Sequence, residues 1–198
     1  MNIIEKIESQ IDWNKEVDDQ LEKLAQFDNL TDEEIKFISE KGHKSSEVGI
    51  LLKYLGPRKL NKFLPDFLIF LQDMNWPAGY GAAYMLLKSR EAILPEIQRV
   101  FKEEDDDIWK HGVLLNLIQH WTKELIEKIK SELIFITVNE SKHEKEGIAI
   151  KALLILRKHD LISKEEYLRH YNNIELEYLA DEWNDWKEDL LELKSASS

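Results

Sequence analysis

A chain of 198 residues, 43% hydrophobic and 33% charged, holds enough apolar material for a sizeable core and is not a disordered chain. Zero cysteines exclude a disulfide framework, a thiolate nucleophile and Cys-ligated metal sites, and seven glycines with four prolines disfavour a turn-rich all-β fold. The net charge of −12 is concentrated at the ends: residues 1–40 carry twelve acids against four bases and residues 173–192 eight against one, a field that repels nucleic acid and attracts basic partners.

The opening MNIIEKIESQIDW mixes acids into its apolar residues and has no basic n-region, so it does not read as a signal peptide. No apolar run reaches the roughly eighteen residues of a membrane-spanning helix, and the expected location is the cytoplasm. The segment LTDEEIKFISEKG pairs Thr31 with Glu34 and ends on Gly42, a capping box and terminal glycine that predict a helix. Over 57–72, Leu60, Phe63, Leu64, Phe67, Leu68 and Leu71 follow a three-four rhythm and predict another. Ile93, Leu94, Ile97, Val100 and Phe101 predict a helix over 91–103, and Trp109, Val113, Leu114, Leu117, Ile118 and Trp121 the next. LIFITV, residues 133–138, favours β structure by composition, but Leu125, Ile126, Ile129 and Leu133 lead into it helically, so it reads as a helix end. GIAIKALLIL, 147–156, is apolar nearly all round and predicts a buried helix. Leu176, Leu179, Trp183, Trp186, Leu190 and Leu193 form a narrow seam on an otherwise acidic C-terminal helix.

Two of these segments are related. DMNWPAG places Asp73, Trp76 and Gly79 where DDIWKHG places Asp106, Trp109 and Gly112, all offset by 33 residues. Leu64-Pro65 and Leu94-Pro95 open the preceding helices, and Gly147 marks a weaker third copy. Two helices per unit at this period predict a HEAT-type α-solenoid, in which neighbouring hairpins cover each other's apolar faces. Asp73 and Asn75 would then cap the helix that Pro77 opens, and Asp106 and Asp107 the helix bearing Trp109. Trp76 and Trp109 would pack between successive repeats.

LPDFLIFLQDMNWPAG, ILPEIQRVFKEEDDDIWKHGVLLNLI and HEKEGIAIKALLIL together resemble a small bacterial family catalogued as domain of unknown function 5071. The resemblance runs from about Leu30 to about Asp160, with Gln72-Asp73-Met74-Asn75-Trp76-Pro77 its most specific string. It implies HEAT-like helical repeats and brings no activity. The family pattern continues after the proline with a branched apolar residue and alanine; Ala78, Gly79, Tyr80 and Gly81 stand here instead, a looser helix start.

The expected fold is all-α, a short α-solenoid of HEAT-like antiparallel hairpins in one domain. Residues 1–29 form an acidic N-terminal helix region, 30–160 the core and 161–198 acidic C-terminal helices. No residue qualifies as catalytic. His143 with Glu144 and Glu146 is not a ligand set, since the two acids suit the positive end of their own helix; His111 and His120 fall on different helix faces. EEDDD at 103–107 reads as a solvated, capping loop, so no metal and no cofactor is expected. GYG lacks the lysine and spacing of a phosphate loop, and no G-x-S-x-G occurs. The leading expectation is a non-catalytic protein-binding module, in its sharpest form an acidic inhibitor or immunity-type protein for a basic partner. Its candidate partner-facing residues are Asp73, Asn75, Trp76, Asp106, Trp109 and Lys110, with Trp183 and Trp186 as anchors on the terminal seam or as parts of a terminal cap. One alternative is an enzyme or small-molecule binder using a cleft near the QDMNWP turn; another is a structural scaffold.

Overall fold

The computed structural model describes residues 1–138, 147–179 and 187–196, and among these it is all-α. The chain divides into two compact units, Met1–Glu96 and Ile97–Ser198.

In the first unit, α1 (Ile3–Gln10) opens with a capping box: the Asn2 side chain accepts from the Glu5 N–H and the Glu5 carboxylate accepts from the Asn2 N–H. A single turn, α2 (Leu21–Leu24), precedes α3 (Asp32–Lys41). The predicted box is present there, with Glu34 N–H donating to Thr31 Oγ1 at 3.2 Å and Thr31 N–H to Glu34 Oε2 at 2.8 Å. Gly42 does follow this helix, but with right-handed dihedrals rather than as a left-handed cap. Helix α4 (Ser46–Lys59) kinks at Gly56, whose φ of 66° suits only a residue without Cβ, and Pro57 starts the final turn. The helix expected over 57–72 is interrupted at Leu60, whose φ of −101° and ψ of 10° end α4, and by the 3-10 turn Asn61–Phe63 that follows. Its apolar positions instead occupy the end of α4, a 3-10 turn, α5 (Leu64–Leu68) and a second 3-10 turn. The register survives the interruption: Leu60, Leu64, Phe67, Leu68 and Leu71 are all buried. Each such side chain contributes roughly 1.5–3 kcal/mol of transfer free energy, which explains why the face persists although the helix does not.

Helix α6 (Gly79–Ser89) packs directly on α4. A Cβ on Gly81 would collide with the carbonyl oxygen and Cα of Gly49, and one on Gly49 would lie 3.2 Å from Ala78 Cα. Of the two glycines after Pro77, Gly81 therefore makes a close helix crossing, while a Cβ on Gly79 would stand at ordinary contact distance from Phe70 and Met74. Arg90, at φ 50°, ends α6.

The division between the units falls within α7 (Leu94–Glu103). In the second unit α8 (Asp107–Asn116) buries Trp109, Val113 and Leu114, and the chain beyond it buries Leu117, Ile118 and Trp121, the whole predicted face. After α9 (Lys123–Glu127), α10 (Lys130–Ile136) contains most of LIFITV as helix, as the spacing indicated. Helix α11 (Ile148–Lys158) is the centre of this unit, packed against α8, α10, α12 (Lys164–Leu179) and α13 (Lys187–Ala196). A capping box with no counterpart in the sequence reading opens α12: Glu166 N–H donates to Ser163 Oγ and Ser163 N–H to Glu166 Oε2, both at 3.2 Å. No helix among the described residues is long and apolar enough to cross a membrane.

Candidate functional site

The QDMNWP turn lies in the first unit. Asp73 Oδ1 accepts from the Asn75 N–H at 2.9 Å, and the Asp73 carbonyl accepts from the Trp76 N–H at 3.0 Å. Asp73 thus closes its own turn, an Asx arrangement, and does not cap α6. The helix begins at Gly79, two residues beyond Pro77, and its N-cap, Ala78, supplies no side-chain acceptor. The Ala78 N–H donates instead to the His43 carbonyl at 3.2 Å. The expectation that Asp73, Asn75 and Pro77 form a helix start is corrected accordingly: the turn satisfies itself and is tied across to the chain between α3 and α4.

Trp76 packs on the His43 ring, 4.4 Å between centroids with the planes 42° apart, and Phe70 meets His43 edge-on at 6.1 Å. Burial, assisted by the charges of Lys44 and Lys41, holds the His43 imidazole below its ordinary range. Beside this stack runs a groove of about 330 Å³ walled by Trp76, Ile69, Ser39 and Glu40. The Lys36–Asp66 ion pair, 3.1 Å, stands at its edge.

In the second unit Asp106 Oδ1 accepts from the Trp109 N–H at 2.9 Å, so Asp106 is the N-cap of α8, as its position suggested. Asp107 does not share that task. It is 6% exposed and pairs with Lys110, 7% exposed, at 2.9 Å. Neither the ammonium nor the carboxylate of this pair faces solvent, and each neutralises a charge that burial would otherwise penalise. Trp109 is 4% exposed, a core side chain. The sequence candidates therefore fall in two groups: Asp73, Asn75 and Trp76 in the first unit, Asp106, Trp109 and Lys110 in the second. Trp183 and Trp186 lie outside the described residues. Of the seam they belong to, Leu193 is described and fully buried, and its carbonyl accepts from the Tyr167 hydroxyl at 2.6 Å. Burial pushes the Tyr167 phenol up to about 12, so it remains a donor throughout the physiological range.

A further feature was not legible in the sequence. Trp13 is 58% exposed on the loop after α1, flanked by Asp12, Glu16, Asp18 and Asp19. Gln20, only 5% exposed, reaches under this loop. Its Nε2 donates to the carbonyls of Asp12 and Lys15 at 3.0 Å each, and its Oε1 accepts from the Asp12 N–H at 3.0 Å. The loop is thereby fixed by a buried amide while its tryptophan points outward. The available signal was an aromatic residue outside any helical period with acids on both sides; that Gln20 would be a buried clamp has no sequence signature.

Among the described residues no group of three or more His, Asp or Glu side chains is placed to hold a metal ion. A protein-family model, Domain of unknown function (DUF5071), matches residues 37–156, more than half of the chain. No curated protein and no solved structure matches.

Proposed function

We propose, for a chain that belongs to the family Domain of unknown function (DUF5071), a non-catalytic role as a protein-binding module for a basic partner. The observation that supports this reading is Trp13, an exposed aromatic side chain held on a Gln20-clamped loop amid acids. Tryptophan is the residue type most enriched at binding hot spots, and a loop already ordered loses little entropy on association. The surrounding carboxylates, Glu16, Asp18 and Asp19, are exposed, so they would steer a basic protein inward and fix its register. An inhibitor that covers a basic toxin or enzyme is the most specific form of this reading. Trp13→Ala and Asp18→Lys should each remove salt-sensitive association while leaving the melting temperature unchanged; association that survives both substitutions would refute the assignment.

The groove beside Trp76 supports a second reading, a small-molecule binder at the QDMNWP turn. In that case a metabolite that raises the melting temperature of the native chain should fail to do so in Trp76→Ala.

A further inference from the structure

A groove of about 520 Å³ in the first unit is lined by the 3-10 turn Val17–Gln20 with the residue before it, by α2, and by α4 and α6. Glu16 and Asp18, both exposed, bring carboxylates to it from the loop that Gln20 clamps. Lys53 of α4 and Lys88 of α6 bring ammoniums. Both lysines stand over the ring of Tyr84, Lys88 at 4.1 Å from its centroid and Lys53 at 5.9 Å. Tyr54, also in the lining, is held through its hydroxyl, which donates to Asp28 Oδ1 at 2.8 Å, and Asp28 is itself paired with Lys59. Exposed Leu21 adds an aliphatic surface to the two rings. Among the described residues none of the four charged groups is in an ion pair, with one another or outside the groove.

We propose that this groove binds a short zwitterionic peptide, a dipeptide with apolar side chains. Its ammonium meets Glu16 and Asp18, its carboxylate meets Lys53 and Lys88, and its side chains lie on Leu21, Tyr54 and Tyr84. A simple anion would be repelled by the two carboxylates and an alkylammonium by the two lysines. A neutral apolar molecule would take water from four charges and give them no partner. A free amino acid carries both charges on one carbon, whereas these groups do not reach one another and need a ligand that bridges them. An extended dipeptide spans up to about 7 Å. The Gln20 clamp and the Tyr54–Asp28 bond order the groove beforehand, so little entropy is lost on binding. Glu16 and Asp18 also serve the Trp13 reading, but this inference does not rest on it: the lysines and tyrosines have no part there, and the titration below needs no protein partner.

Calorimetric titration of the full chain with phenylalanyl-leucine at low salt tests it. The expected result is saturable one-to-one binding, with glycylglycine weaker by about ten-fold or more for want of apolar side chains. N-acetylation or C-terminal amidation of the dipeptide, each removing one charge, should weaken it by about five-fold or more. The Glu16→Gln/Asp18→Asn variant should bind the dipeptide and its N-acetyl form equally while still preferring the dipeptide to the amide. Lys53→Gln/Lys88→Gln should show the reverse pattern, which a merely structural effect of either pair would not produce. Absence of saturable heat, native-chain binding of the N-acetyl or amidated form as tight as that of the dipeptide, or both preferences surviving in both variants would overturn the proposal.

Discussion

Gly81 of α6 rests on the backbone of Gly49 of α4, so closely that position 81 has no room for a side chain. The contact joins the two principal helices of the first unit where α6 leaves the QDMNWP turn. Gly81→Ala forces its Cβ into Gly49 backbone atoms that cannot rotate away, and should destabilise the chain by about 1–3 kcal/mol or more. Tyr80→Ala, next door and 67% exposed, should change stability by no more than about 0.5 kcal/mol. Urea unfolding of the two variants beside the native chain makes the comparison.

Glu132 is 2% exposed, yet three donors meet its carboxylate: Lys102 Nζ at 2.8 Å, Ser131 Oγ at 2.8 Å and Gln98 Nε2 at 3.3 Å. Burial alone would raise its pKa, but the Lys102 and Ser131 hydrogen bonds outweigh it and hold the group below the ordinary value of 4.5. A carboxyl depressed in the folded state contributes stability above its ordinary pKa and loses it as pH falls through the folded one. Lys102→Met should therefore cost about 1–3 kcal/mol at neutral pH, because it strands a buried charge. Adding Glu132→Gln should recover part of that loss and flatten the acid side of the stability curve, as followed by thermal unfolding from pH 7 to pH 3.

His170, 7% exposed, lies 3.3 Å through Nδ1 from Thr137 Oγ1, and burial with the Arg169 charge keeps its imidazole below 6.5. His43 and His159 are lowered in the same direction, each by burial first. Between the lowered folded value and 6.5 the unfolded chain binds more protons, so acidification through that interval weakens the fold. Stability should decline as pH falls below 6.5, and His170→Gln should reduce the slope. A slope unchanged in the variant would assign the effect elsewhere.

Tyr167→Phe deletes the donor to the Leu193 carbonyl and leaves that buried oxygen without it. The expected cost is about 1–2 kcal/mol, read by denaturant titration. Limited proteolysis should cut first at residues 187–196, since α13 loses this tie to α12.

The parts of this fold readable from sequence are those set by short-range rules. The Thr31–Glu34 box, the helical character of 133–136 and the buried face from Trp109 to Trp121 all follow from local spacing, and all are present. Interactions between distant segments were not readable. Nothing local distinguishes Gly81, needed for a close crossing, from a glycine that merely loosens a helix. Asp106 and Asp107 are adjacent and chemically identical, yet one caps α8 and the other is buried against Lys110, a difference decided by which face of the helix meets the core. Trp13 stands outside any helical repeat, so spacing does not single it out, and the clamp that exposes it depends on Gln20 turning inward.

Binding of a basic partner through the Trp13 loop is tested most directly by affinity capture from the native lysate, at low and high salt, using the native chain and a Trp13→Ala/Asp18→Lys/Asp19→Lys variant. A stoichiometric basic protein should be retained by the native chain, released by salt and not retained by the variant. Retention of the same proteins by both chains, or capture of no basic protein by the native chain, would contradict it.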